Sequence, residues 1–335
     1  MELVVGWLLP GLALAVAAAV ALWTAGAIYY DVGDRTGFRR PLALGWLVGV
    51  AALFALWRPV WWPLLALLAA FAAFLAWWLS LRPSRHRDWD RTVTRLPRAE
   101  VAGDVVRLHN VWQHHYRTFD DFTPNYVIRT VRLSHLRGAD VLFFYWGSRW
   151  MSHPVLLFDF GPDGRVAFSA EVRFRRGQRY ALLPGLYRQQ ELVLLVTDEY
   201  DAIARRVVFG TDTGYLYRLT APADALRAVF LDYLAAVNRL HAAPRWYHGL
   251  CTNCTTAVAR LPNVRLRWDW RLLANGLLDR ALYDLGLLDR SLPFAALKRA
   301  AYLNDAAKAA PRDGFGEFIR AEIERAKEAE ASRAA

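Results

Sequence analysis

Residues 153–174 read HPVLLFDFGPDGRVAFSAEVRF. Two strand-like runs, 153–160 and 166–174, enclose the turn sequence GPDG at 161–164, a pattern that predicts an antiparallel hairpin. Further short apolar or alternating runs lie at 104–112, 126–133, 140–146, 191–198 and 215–220. The hairpin is therefore expected to sit inside a larger antiparallel sheet. Beyond residue 220 the apolar spacing turns helical, and 221–243 predicts one amphipathic helix stopped by Pro244. Region 268–304 reads as broken helix, and 314–335 as a charged helix with little apolar face, expected to fray. Strands followed by helices predict an α+β fold with helices packed on an antiparallel sheet.

The first 82 residues have a different composition. Residues 3–30 carry no charge, which is long enough to span a bilayer and too long for a signal-peptide core. The preceding Met-Glu is not a basic leader. A second apolar run covers 41–57 and a third 60–81, with only Arg58 and Pro59 between them, as a tight helical hairpin requires. Trp61, Trp62, Trp77 and Trp78 fall near the two ends of the third run, where interfacial belts form. Three transmembrane helices are expected, at about 3–29, 41–57 and 60–81. Loop 30–40 carries Arg35, Arg39 and Arg40 beside Asp31 and Asp34, and the exit segment RPSRHRDWDR (82–91) mixes arginines with Asp88 and Asp90. By charge alone this leans weakly towards a cytoplasmic soluble part.

The net charge of +11 comes mostly from arginine, with only three lysines, and is spread along the chain. No basic stripe forms, so nucleic acid is not implied. A basic, tryptophan-rich domain beside a bilayer suits anionic headgroups instead.

Both cysteines, Cys251 and Cys254, lie in GLCTNCTTAV (249–258). Three chemistries are open. A zinc site needs about four ligands, of which this pair supplies half. A redox disulfide can close at this spacing, but the βαβ context of thioredoxins is absent. A nucleophile is the third: Asn253 before, and Thr255 and Thr256 after, resemble a polar helix start with Cys254 in its first turn. Unpaired N–H groups there favour a thiolate and can cradle an oxyanion.

A thiol nucleophile needs a base, and the base an orienting partner. Of the eight histidines, His86 lies in the membrane-exit linker. His109, His114 and His115 cluster and could suggest a metal, but lack companion carboxylates at helical spacing, and His135, His241 and His248 fall in polar contexts. His153 opens an apolar strand after a Gly-Ser loop, and hairpin pairing would bring Glu171 beside it. A satisfied core histidine is the competing account of that position.

Several blocks in order resemble the Lnb-type N-terminal periplasmic domain family: DFTPNY (121–126), YWGSRWMSH (145–153), FDFG (158–161), SAEVR (169–173), GLYRQQELVLLVTDEYD (185–201) and WYHGLCTNCTTAV (246–258). The resemblance spans about residues 76–305. It implies a circularly permuted papain-like (NlpC-like) scaffold in which the histidine strand precedes the cysteine helix. It also implies Cys254 as nucleophile and His153 as base. Glu171 matches the family's acidic position, and its orienting role is inferred. Asn253, Thr255 and Ser152 are assigned to oxyanion binding and positioning. The family seldom has cysteine at the position of Cys251; in an oxidising periplasm a Cys251–Cys254 disulfide would mask the nucleophile, making Cys251 a redox partner.

The founding member is implicated in lipoprotein N-acylation. The implied function is acyl transfer from phospholipid, through a Cys thioester, to an amine such as a lipoprotein N-terminus. A cysteine amidase or endopeptidase on cell-wall peptides and a non-catalytic membrane module are the alternatives. The expected organisation is an anchor (1–82), a linker (83–100), a catalytic-like periplasmic domain (101–262) and a helical extension (263–335). The family's placement outweighs the charge argument, so an inner-membrane, multi-pass protein with its soluble domain in the periplasm is expected. No metal or cofactor is implied.

Overall fold

The computed structural model describes residues 2–32, 37–84, 87–178, 181, 183–264, 269–272 and 274–334. Asp34, Arg35 and His86 lie outside the described residues. The chain divides into two compact units. One comprises residues 1–85, 179–191 and 245–249, and the other comprises residues 86–178, 192–244 and 250–335.

The first unit is built on three helices. These are α1 (Glu2–Ala27), which continues as a π-helical turn over Ile28–Val32, α2 (Arg39–Leu56) and α3 (Trp61–Ser80). All three are long and apolar enough to cross a membrane. Ala13, Ala17, Ala21 and Ala25 recur every fourth residue and are buried. Small side chains at that spacing let neighbouring backbones approach closely. Trp23 of α1 packs edge-on against Phe71 and Trp78 of α3, with centroids at 5.6 and 5.0 Å. Leu44 and Val48 of α2 are more than 60% exposed, as a lipid-facing surface is. Buried Asp31, just past α1, accepts from Trp78 Nε1 and Gln189 Nε2, both at 2.7 Å. Segments 185–191 and 245–249 belong to this unit for that kind of reason: Trp246 Nε1 likewise donates to the Leu81 carbonyl at 3.0 Å.

The second unit is α+β. Its strands are β1 (Arg98–Ala102), β2 (Val105–Trp112), the short pair β3 (His115–Tyr116) and β4 (Phe122–Thr123), β5 (Tyr126–Arg132), β6 (Gly138–Tyr145), β7 (Ser152–Asp159), β8 (Arg165–Arg173), β9 (Glu191–Asp198) and β10 (Thr213–Arg218). The main sheet has the order β1-β2-β9-β8-β7-β6-β10, with β5 also on β2. Pairing is antiparallel along β10-β6-β7-β8 and parallel between β2 and β9. The hairpin expected at 153–174 is β7–β8. Its turn uses Gly161 and Gly164 at φ of 54° and 84°, a conformation glycine adopts without strain.

The helices are α4 (Glu199–Val207), α5 (Ala223–Ala242), α6 (Cys254–Ala259), α7 (Leu278–Asp284), α8 (Phe294–Ala300), α9 (Asn304–Ala309) and α10 (Phe315–Ala334). Strand alternation divides the core. On one face, Leu142, Phe144, Val155 and Leu157 pack with Ile203 and Val207 of α4 and with α9 and α10. On the other, Val141, Phe143 and Tyr217 pack with α7 and α8, and Phe158 and Phe168 pack with Phe230 of α5 at 5.1 and 5.7 Å.

The C-terminal helix departs from the frayed tail expected for 314–335. Phe315, Ile319 and Ile323, spaced every fourth residue, form a stripe that is buried in the core. Arg320 bonds Asp140 and Glu199, so the charged face is paired as well. Region 263–335 thus contributes side chains to both faces of the sheet.

Candidate active site

Helix α6 begins with a complete capping box. Asn253 Oδ1 accepts from the backbone N–H groups of Thr255 (3.0 Å) and Thr256 (2.8 Å), while Thr256 Oγ1 accepts from Asn253 N–H at 2.9 Å. This fixes where the helix starts. Cys254 becomes the first helical residue, where the helix offers its N–H no acceptor. Its thiol is buried, whereas Cys251 is exposed. The two cysteines, three residues apart in sequence, therefore occupy different environments.

His153 sits at the head of β7 and is buried. The β7–β8 register pairs Val155 with Ser169. Continued by two residues, it sets Glu171 opposite His153. Nε2 of His153 lies 2.6 Å from Ser169 Oγ and 2.9 Å from Glu171 Oε1. Ser169 Oγ in turn donates to Glu171 Oε1 at 2.8 Å, so its lone pairs face the imidazole. The network places the proton on Nε2, which leaves Nδ1 as the nitrogen able to act as a base towards the Cys254 thiol, with which His153 interacts electrostatically. His153 is thus held by Glu171 and acts electrostatically on the Cys254 thiol, which links the three side chains in one relay.

The electrostatics shift the site towards a thiolate–imidazolium pair. Burial opposes charge on His153, but the Glu171 carboxylate and hydrogen bonds to Cys254 and Glu171 outweigh it, and its pKa is raised. Burial alone would raise the Cys254 pKa; the hydrogen bond and charge of His153 bring it below the ordinary thiol value. Glu171 is held well below the carboxylate range despite burial, by His153 and by Arg206. With only six residues in α6, the neighbouring imidazolium, more than the helix dipole, lowers the thiol.

Three contributors were not legible in advance. Ser169 is reachable by alternation from Glu171, two residues along the same strand. Arg206, on α4, donates to Glu171 Oε1 at 2.7 Å and to Asp212 at 3.1 Å. Asn275 Nδ2 lies 3.7 Å from Cys254 Sγ and 3.3 Å from Thr255 Oγ1. Ser152 fixes that amide: its N–H donates to Asn275 Oδ1 at 2.9 Å and its hydroxyl to the Asn275 carbonyl at 2.6 Å. Gly276 is what allows the approach, since a Cβ there would stand 2.3 Å from the Arg149 carbonyl. Of the residues expected to bind an oxyanion, Asn253 and Thr255 are engaged in the cap. The side-chain donor that stands near the sulfur is the Asn275 amide.

Three other described histidines have partners of their own. His114 stacks between Trp112 and Phe122 at 4.7 and 5.4 Å, and burial lowers its pKa to about 4. His135 pairs with Asp163 at 3.0 Å, and His241 meets the Pro97 carbonyl at 3.2 Å. Among the described residues, no three His, Cys, Asp or Glu side chains gather in a way that could hold a metal ion.

Residues 122–279 match the family described as Lnb N-terminal periplasmic domain. This segment belongs to that family. The matched stretch contains every member of the relay and Asn275, and it falls inside the wider span of sequence resemblance. No curated protein and no solved structure matches the chain. A periplasmic-domain family and three helices fit to cross a membrane together describe a membrane-anchored protein.

Proposed function

We propose that the chain is a membrane-anchored cysteine acyltransferase of the inner membrane, multi-pass, with its Lnb-type domain in the periplasm. The observation that carries this reading is the relay Cys254–His153–Glu171. His153 Nδ1 takes the thiol proton and Glu171 stabilises the imidazolium. The thiolate adds to the ester carbonyl of a phospholipid, and the oxyanion is held by Cys254 N–H and Asn275 Nδ2. As the tetrahedral adduct collapses, the C–O bond breaks and His153 returns the proton to the leaving lysophospholipid oxygen. An amine, such as a lipoprotein N-terminus, then attacks the thioester; its proton passes to His153 and the thiolate leaves. The order of the histidine strand before the cysteine helix is the one a permuted papain-like scaffold uses.

Exposed apolar side chains support action at a lipid surface. Trp150 and Met151 precede Ser152, Trp270 precedes Asn275, and Leu250 precedes Cys251; all four are exposed. The loops of Trp150 and Asn275 touch, with Gly276 N–H donating to the Trp150 carbonyl at 3.0 Å.

Intact-mass spectrometry of the full chain with phospholipid vesicles, with and without reductant, tests the proposal. An acyl adduct is expected on Cys254 and absent from Cys254→Ser and His153→Ala. No adduct on a thiol that iodoacetamide does label, together with cleavage of muropeptides, would replace acyl transfer with amidase chemistry.

A further inference from the structure

Behind the nucleophile lies a cavity of about 670 Å³, within the size range of small-molecule sites. Its floor is the sheet, at Phe143 and Leu156. Its walls are Leu226 and Val229 of α5, Val258 of α6 and Leu282 of α7. Thr255 connects it to the chemistry: this residue lines the cavity and its hydroxyl stands 3.9 Å from Cys254 Sγ. A group attached to the sulfur needs to pass only one side chain to enter.

The threonine and asparagine side chains in the lining are occupied. Thr220 Oγ1 donates to the Gly286 carbonyl at 2.8 Å, and Thr255 Oγ1 accepts from Asn275. Asn263 is held by Asp232 through its backbone N–H at 2.6 Å and its side-chain amide at 3.2 Å. Tyr233 contributes an uncharged aromatic ring. A peptide chain in such a space would leave its own N–H and C=O groups unpaired, at a cost each time. A hydrocarbon chain has no such groups.

We propose that this cavity is the acyl-chain site of the enzyme, holding the fatty acyl chain of the donor while its carbonyl sits at Cys254. This rests on the acyl-transfer reading above and adds the place and the chemistry of the chain. Burying each methylene improves binding about fourfold, so the cavity acts as a length gauge until it is full.

Alkyl methanethiosulfonates from methyl to dodecyl test this on the full-length protein. The thiolate attacks the reagent sulfur, a disulfide to the alkyl chain forms and methanesulfinate leaves, so no acyl acceptor is required. Peptide mass mapping compares the labelling rates of Cys254 and Cys251 in one sample, which corrects for partition of long reagents into lipid. The Cys254:Cys251 ratio is expected to rise about fourfold per methylene over several steps and then level off. Val229→Trp and Val258→Trp fill the space from opposite walls; in at least one the long-chain advantage over methyl is expected to disappear, with thermal melting checking the fold of each. A ratio flat from methyl to dodecyl, or a slope intact in both variants, overturns the proposal. A clear slope with no acyl adduct from vesicles instead sinks the transfer reaction and leaves the cavity assignment standing.

Discussion

Replacing Glu171 with glutamine removes one negative charge from beside His153 and leaves the shape of the side chain almost unchanged. The amide oxygen can still accept from Nε2, so the substitution isolates charge from hydrogen bonding. With charge centres about 4 Å apart and an effective dielectric near 20, the pair is worth about 4 kcal/mol. The same carboxylate repels the Cys254 thiolate, and relief of that repulsion in the variant returns roughly half of that. About 2 kcal/mol then remains, equivalent to about thirtyfold in the population of the thiolate–imidazolium pair. The sign follows from the directions of the two shifts. His153 is raised and Cys254 lowered because each stabilises the other's charge, with Glu171 supporting His153. Removing that support moves thiolate formation to higher pH. Cys254 in Glu171→Gln is therefore expected to react with iodoacetamide about thirtyfold more slowly near pH 6 and to approach the parent protein near pH 9. Peptide mapping separates this from Cys251, whose rate serves as the reference. A variant whose Cys254 labels within about threefold of the parent across that range would remove Glu171 from the relay.

Asn275→Ala is expected to slow acyl-adduct formation about 10²- to 10³-fold, while iodoacetamide labelling, which develops no oxyanion, changes far less. Equal losses in both reactions would assign Asn275 to holding the thiol instead. Ile319→Ala, at a fully buried position on α10, is expected to cost about 2–5 kcal/mol, and an unchanged melting temperature would show the helix to be peripheral. Asp201 accepts from His114 N–H and Tyr116 Oη, both at 2.7 Å, and burial raises its pKa to about 6. A raised folded-state pKa gives stability that is full below pH 3.8 and lost as pH rises through about 6. The parent should thus lose up to about 3 kcal/mol relative to Asp201→Asn across that window; a pH-independent difference in denaturant melts refutes it.

Strand positions were largely legible because the sheet is mostly antiparallel and the β7–β8 turn carries glycine. The expected runs 126–133, 153–160, 166–174 and 191–198 became Tyr126–Arg132, Ser152–Asp159, Arg165–Arg173 and Glu191–Asp198. Strand β1 gave no comparable signal: it is five residues long, with only Ala99 buried, and pairing with β2 rather than an apolar face holds it. Helix α4 is nine residues long, too few for a 3.6-residue period to stand out beside the preceding strand. In α10 the stripe Phe315, Ile319, Ile323 is narrow and surrounded by charges, so its burial depended on the partners Asp140 and Glu199 on other elements.

The same division runs through the site. Cys254, His153 and Glu171 could be paired from sequence because two local devices place them: a capping box that starts a helix, and a hairpin whose two-residue period sets Glu171 across from His153. Arg206 and Asn275 have no local device of that kind. Arg206 reaches Glu171 because α4 packs on the same sheet face as Val155 and Leu157, a long-range outcome. Asn275 is pressed towards the thiol because Gly276 lets its loop lie against residues 149–151; in sequence that glycine reads only as a turn. In the proposed reaction the local devices place the nucleophile and base, and the long-range pair places the charge balance and the oxyanion donor. A chain that kept the motif while losing the α4 packing or Gly276 would therefore keep the cysteine and histidine yet lose the means to use them.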